Sequence, residues 1–331
     1  MTLLKVKDLT IKFKSRQGVV KAVDNLSFEL AHGSSLGIVG ESGSGKSVTS
    51  LTIMGLLQHA NAEITGNIDF DGVDLLKISH KEMRKIRGKS ISMIFQEPMT
   101  SLNPLHTCGK QIMEPILIHQ KNVSKQEAKN YAIEMLRMVG IPSPEQRFHE
   151  YPHQMSGGMR QRIMIAIALA CNTKLLIADE PTTALDVTIQ AQILDLMNNL
   201  KKKRDMSIIM ITHDLGVVKE MCEKVVVMYT GQIVEKSPTD LVFADPLHPY
   251  TKGLLNAIPK ISSKVERLEA IEGTVPDALK MPSGCSFHPR CKYATERCKV
   301  EMPPLYQLED GREVKCFIYD EAEKAGEVYA T

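Results

Sequence analysis

The stretch "VGESGSGKSV" holds small residues, one ammonium and one hydroxyl at a spacing suited to a chain of phosphates. Gly40, Gly45, Lys46 and Ser47 satisfy the pattern G-x-x-x-x-G-K-[ST]. Gly43 and Gly45 allow the backbone to turn its amides inward as an anion nest, and Ser42 and Val48 are further positions of the same phosphate loop. Lys46 would reach the β and γ phosphates of ATP, and the Ser47 hydroxyl would ligate Mg2+. Further along, "KLLIADEP" ends an apolar run in two carboxylates, Asp179 and Glu180. Adjacent residues on a strand face opposite ways, so the two can take different tasks. Asp179 would bind Mg2+ through water, and Glu180 would orient the attacking water as general base.

These side chains need elements to position them. Leu36 to Val39 reads as a short buried strand and Ser47 to Leu57 as a helix, so the glycines fall on a strand-to-helix turn, where the helix N-terminus favours anions. Leu175 to Ala178 reads as a second strand, with its carboxylates at the open edge of a parallel sheet. Antiparallel strands are expected in "LLKVKDLTIKF" and "VKAVDNLSFEL", while "SIIMI", "KVVVMY" and "IVEK" return to the sheet, the last two joined by a turn at "TGQ". Ile189, Ile193, Leu196, Met197 and Leu200 recur on one helical face, and "KKKR" behind them reads as a solvated helix C-terminus.

Composition sets the outer limits. A chain of 331 residues, 43% of them hydrophobic, suffices for about two domains with a real core. Its 41 basic and 39 acidic residues leave a net charge of +2, so no global field collects nucleic acid or coats a membrane. Apolar runs such as "IMIAIALA" fall short of the ~18 to 20 residues of a membrane span. The start "MTLLKVKDLT" lacks the parts of a signal peptide, so a cytoplasmic location is expected, with contact to membrane proteins left open.

"YPHQMSGGMRQRIMIAIALA" places Ser156, Gly157 and Gly158 just before a long apolar helix, a second anion site that one ATP cannot easily share with the first inside one subunit. Here the sequence resembles the nucleotide-binding subunits of ABC transporters, in which Ser-Gly-Gly closes over ATP held by the P-loop of a partner subunit. Further motifs follow in order: Phe13 at the position that stacks on adenine, Gln96 in "MIFQEP" as the Q-loop, "TTALD" ending at Asp186 as the D-loop, and His213 in "IMITHD" as the switch histidine. The resemblance covers about residues 3 to 240. It implies nucleotide contacts at Phe13, the P-loop, Asp179, Ser156 to Gly158 and Asp186, Mg2+ at Ser47 and Gln96, and catalysis by Glu180, His213 and Gln96. Met155 and Met159 stand where the signature more often has Leu and Gln, while the phosphate-facing serine and glycines are kept.

The implied fold class is α/β, a P-loop NTPase of the ABC cassette type with an antiparallel β layer, an inserted helical subdomain and a small metal-stapled C-terminal extension. The cassette is expected over residues 1–255, its helical subdomain over about 96–165 with the helix pattern "KQEAKNYAIEMLRMVGI", and the extension over 256–331.

Soluble ABC ATPases acting on nucleic acid or ribosomes are a distant alternative. The segment from Gly40 to Ser156 is too short for the long coiled coil of the chromosome-organising relatives, and only one cassette is present. "FQEPMTSLNPL", "DPLHPYTKGLL" and "SGCSFHPRC" resemble the dipeptide and oligopeptide importer branch, with nickel or another small solute as the alternative cargo. That likeness implies an ATPase at the cytoplasmic face of the cell membrane, peripheral to it. It also implies a second ATP-binding subunit in a heterodimer, two transmembrane permease subunits and an extracytoplasmic solute-binding protein, with no nucleic acid.

Cys108, Cys171 and Cys222 read as isolated thiols. Cys285, Cys291, Cys298 and Cys316 instead form C-x5-C-x6-C-x17-C in a Pro-rich segment with few long apolar runs, which needs a staple to hold its shape. Cytosolic reductants disfavour disulfides, leaving four thiolates on a metal. Spacing alone leaves zinc and an iron–sulfur cluster open; the importer resemblance implies a [4Fe-4S] cluster.

Overall fold

Alternating apolar residues at the start of the chain build β1 (Thr2–Ser15) and β2 (Gly18–Ala31), an antiparallel pair with Phe13 opposite Val20. The computed structural model describes residues 1–57, 61–96, 101–183, 185–257 and 271–320. The stretch after Gln96 (97–100), residue 184 of "TTALD", and parts of the expected extension (258–270 and 321–331) lie outside them.

The chain continues through β3 (Ser35–Val39), α1 (Lys46–Ile53), β4 (Ala62–Phe70), β5 (Val73–Asp74) and β6 (Ile91–Ile94). The helical part follows: α2 (Cys108–His119), α3 (Lys125–Met138) and α4 (Gly157–Ala168). Then come β7 (Leu175–Asp179), α5 (Val187–Arg204), β8 (Ser207–Thr212), α6 (Leu215–Met221), β9 (Lys224–Tyr229), β10 (Gln232–Pro238) and α7 (Pro249–Asn256). Beyond these, β11 (Tyr306–Gln307) and β12 (Glu313–Val314) belong to the tail.

Among the described residues the strands form two sheets, one in the order β2-β1-β4-β5 and one in the order β11-β12-β10-β9-β3-β8-β7-β6. From β9 to β6 the second sheet is parallel. Every residue of β3, β7 and β8 is buried, as unbroken apolar runs covered on both faces require. The two-residue period sorts their side chains between two cores. Leu175, Ile177, Ile209 and Ile211 pack under the antiparallel layer, while Leu176, Ala178, Ile208 and Met210 face the helices.

The helical part takes its ends from polar caps. Ser124 and Glu127 form a capping box on α3, Ser156 caps α4, and the Asp186 carboxylate accepts the Ile189 amide at the start of α5. Leu194, absent from the apolar face read in the sequence, is buried on α5 with Ile193, Met197 and Leu200. The tail joins the main sheet, because β12 pairs with β10 through Glu235↔Val314 and Lys236↔Glu313.

Candidate nucleotide site

The phosphate loop leaves the carboxyl end of β3, between β9 and β8, and enters α1. Two of its glycines are obligatory for steric reasons. Gly45 sits at φ +95°, and a Cβ there would lie 2.5 Å from the Ala22 carbonyl oxygen; at Gly40 a Cβ would collide with the Met228 carbonyl. The loop is thus pressed against neighbouring backbone. Lys46 is buried, and its ammonium donates to the carbonyls of Gly40 (2.7 Å) and Glu41 (2.9 Å) and to Ser44 Oγ (3.3 Å). Burial lowers its pKa, opposed by the charges of Glu180, Asp179 and Glu41. An anion arriving at the nest would meet an ammonium held only by neutral oxygens.

Asp179 ends β7, and its Oδ1 accepts from the Ser47 hydroxyl at 3.3 Å. Burial raises its pKa, and the neighbouring Glu180 adds to that, against the Ser47 hydrogen bond and the Lys46 charge. A buried carboxylate disfavoured in its charged form, beside a hydroxyl, is a hard oxygen donor set that suits Mg2+.

Glu180 lies one residue past the strand, at φ +48° with its amide donating to the Ile211 carbonyl at 2.8 Å. This left-handed backbone is uncommon for a residue with a Cβ. It swings the carboxylate across the sheet edge, where Oε2 accepts from Gln96 Nε2 and Thr183 Oγ1, both at 2.9 Å, and Oε1 lies 3.1 Å from His213 Nδ1. Burial pushes the Glu180 pKa up, but the bonds from His213 and Thr183 and the charges of His213 and Lys46 outweigh it, and the net shift is downward. Glu180 is therefore ionised at neutral pH and joined to the ends of β6, β7 and β8.

Lys46, Ser47, Asp179, Glu180, Gln96 and His213 thus come together as the sequence suggests. The other phosphate-loop residues surround Lys46 and Ser47, while the signature, Asp186 and Phe13 lie elsewhere. Ser156, Gly157 and Gly158 line a separate cleft of about 540 Å³ with Gly140, Leu185 and Asp186, and no phosphate-loop residue lines it. Phe13 is half-buried against the core beneath the antiparallel layer.

Four contributors escape the sequence reading. Thr183, inside "EPTT", holds Glu180. Glu41, a variable position of the P-loop pattern, has its amide on Tyr250 Oη (2.8 Å) and its carboxylate on Arg290. In the sequence "HPYT" serves only as a marker of resemblance, and "SGCSFHPRC" as that and as the bearer of two tail cysteines. In the fold they interlock, with Tyr250, Tyr229 and Phe287 ring centroids 4.7 to 5.4 Å apart.

Cys285, Cys291, Cys298 and Cys316 are free thiols sharing one neighbourhood. Burial pushes the Cys316 thiol up to about 12, with the other three cysteines adding to the effect. The expected metal staple is nevertheless not drawn together. Among the described residues no three His, Cys, Asp or Glu side chains converge closely enough to hold a metal ion. Other ties hold the tail: the β12–β10 pairing, Thr230 Oγ1 to Ser286 Oγ (2.8 Å), Arg312 to the Asp245 carbonyl (2.7 Å), and the Arg297 guanidinium 3.9 Å from the Phe317 ring centroid. A local scan for apolar runs misses them because each partner lies in another part of the sequence or in a polar contact.

A P-loop lysine, a hydroxyl and paired carboxylates at the carboxyl edge of a parallel sheet, with a Ser-Gly-Gly helix start in its own cleft, define a cassette ATPase of the ABC class. Comparisons narrow the class. Residues 23–183 match the family described as "ABC transporter", and residues 234–298 match "Oligopeptide/dipeptide transporter, C-terminal region". The oligopeptide transport ATP-binding protein AppD of Bacillus subtilis is 53% identical over 97% of this chain and 98% of its own length. The dipeptide transport ATP-binding protein DppD of Escherichia coli is 51% identical over 96% of each chain. Among solved structures, the dimeric bacterial ABC transporter cassette MJ0796 matches with a TM-score of 0.64 and 29% identity over 71% of this chain and 98% of that one. The chain belongs to the ATP-binding subunits of the oligopeptide and dipeptide ABC transporters.

Proposed function

We propose that this chain hydrolyses ATP to energise import of dipeptides or oligopeptides, working at the cytoplasmic face of a membrane. The observation that carries the catalytic part is the Glu180 carboxylate, ionised and held by Gln96, Thr183 and His213 beside the Lys46–Ser47–Asp179 phosphate and Mg2+ site. With Mg·ATP bound, Lys46 and the loop amides would hold the phosphates, Ser47 and Asp179 would hold the metal with Gln96 beside them, and Glu180 would orient the attacking water. Glu180→Gln should keep ATP binding while turnover falls about 10²- to 10⁴-fold in a phosphate-release assay. Unchanged turnover would remove Glu180 from this role.

The separate cleft of Ser156 to Gly158 supports closure between two ATP-binding subunits, each signature facing the other's P-loop. The solved MJ0796 cassette, described as a dimer in a post-hydrolysis state with ADP and Pi, supports pairing of two cassettes. We read the native partner as a related chain in a heterodimer, with two permease subunits and an extracytoplasmic binding protein completing the importer. Among the described residues no helix is long and apolar enough to cross a membrane. A cleft of about 560 Å³ lined by Met54, Phe95, Leu102 and Ile118, close to Gln96, is suited to take an apolar permease element. The cargo is tested by reconstituting the complex in vesicles: ATPase stimulation by peptides supports the peptide reading, and stimulation by Ni2+ alone would favour a metal importer.

We read residues 1–255 as the cassette and 256–331 as its extension, and assign the four tail cysteines to a [4Fe-4S] cluster, with Zn2+ as the alternative. Four clustered thiols, three of them with pKa values raised by burial, are poor as free groups and good as soft-metal ligands, since a bound cation deprotonates them. Anaerobic iron, sulfide and zinc analysis of wild type and Cys291→Ser decides it. Near four irons and four sulfides per chain is the expected result for one cubane; one zinc without sulfide would refute the cluster.

A further inference from the structure

Glu41 is the only carboxylate in the phosphate loop "GESGSGKS", and it lies close enough to bear on the charge of Lys46. Left alone it would repel the phosphates that the loop must receive. Its carboxylate is instead gripped by both arms of the Arg290 guanidinium, at 2.6 and 3.1 Å. The Arg290 side chain is only 4% exposed. Its other donors are fixed to the tail and the sheet: Nε donates to the Glu272 carbonyl (3.1 Å), and a terminal nitrogen reaches Tyr229 Oη (3.4 Å). The Glu41 amide is fixed as well, on Tyr250 Oη of α7. One loop residue is thus tied at its amide and its carboxylate to two segments far along the chain.

We propose that Arg290, directly before Cys291 in the tail, is a positioning residue for nucleotide binding: it neutralises Glu41 and fixes the phosphate loop, so that the ATP site senses whether the tail is folded. The proposal rests on the nucleotide reading of Lys46 and Ser47. It gives the cysteine-bearing segment a physical route to the catalytic cassette through a two-point ion pair, the strongest geometry for a guanidinium and a carboxylate. By reciprocity, bound nucleotide strengthens the tail's hold by the same factor that the tail strengthens nucleotide binding.

The test is a charge-rescue series on the full chain, with ATPγS and Mg2+ as the probe in equilibrium binding. Arg290→Ala should raise the Kd about tenfold, the effect of one uncompensated charge near the phosphates. Adding Glu41→Gln to that variant should restore the Kd to within about threefold of wild type, because the repelling charge is gone. A tail that matters only as packing would not be rescued by removing a charge in the loop, so a failed rescue overturns the proposal, as does an unchanged Kd in Arg290→Ala. Should Arg290→Ala not fold, Arg290→Lys, which keeps one contact, should show a smaller rise with the same rescue; no rise would refute the strap. Failure of wild type to bind ATPγS would instead overturn the nucleotide reading itself, and the strap with it.

Discussion

At the scale of single residues the proposed chemistry rests on Glu180, and its left-handed backbone is what sets the position of its carboxylate. A straight continuation of β7 would send the next side chain to the sheet's opposite face; the twist brings it to Gln96 and His213 instead. Its pKa is lower in the fold than in the unfolded chain, so its contribution to stability is complete above the unfolded value and fades as pH falls through the folded one. The acid limb of kcat/KM, which reports the free enzyme, should therefore lie below the ordinary glutamate range, and His213→Ala should move it upward. A limb that stays in place would deny His213 its hold on Glu180. Asp179 has the opposite sign. Its folded pKa is raised, so its favourable contribution exists below the unfolded value and is lost as pH rises, leaving the ionised group a liability at neutral pH. Asp179→Asn should raise the Tm of the nucleotide-free protein while Mg·ATP turnover collapses; a lowered Tm would contradict this account.

Elements were legible where one residue pattern met one burial pattern. The strands around the nucleotide site are continuous apolar runs because both faces are covered, and the polar residues that end them are the site itself. Helix packing is less visible in sequence. No sequence pattern singles out Gly109 near the start of α2, yet a Cβ there would run into the Phe148 ring. Gly109→Ala should destabilise the helical part by about 1–3 kcal/mol, the usual cost of overpacking, in chemical denaturation. A neutral result would mean that the Phe148 ring moves aside easily.

If closure needs two subunits, as proposed, one chain is incomplete as a catalyst, because its signature helix lines a cleft that no phosphate-loop residue enters. On the heterodimer reading, Mg·ATP should bring this chain together with its related ATP-binding subunit and Glu180→Gln should trap the pair, seen in light scattering as the summed mass with ATP and the separate masses without it. Separate masses in the presence of Mg·ATP would contradict the pairing. At the same scale the tail is part of the cassette in structural terms, through the pairing of β12 with β10 and the contact of Arg290 with Glu41.

The sequence by itself determined the class of chemistry. Glycine spacing, one lysine, one hydroxyl and adjacent carboxylates after an apolar run are local patterns, and local backbone geometry suffices to give them meaning. It also marked "HPYT" and "SGCSFHPRC" as distinctive, without showing that Tyr250 and Arg290 within them reach the phosphate loop. Only the tertiary structure decided that Glu180 gathers residues from three strand ends, and that Tyr250 and Arg290 brace Glu41 from more than 200 positions away, |i−j| being 209 and 249. The reason is that burial and pairing depend on which distant segments share a surface. A run of residues records its own periodicity but not the charge or ring that will close over it.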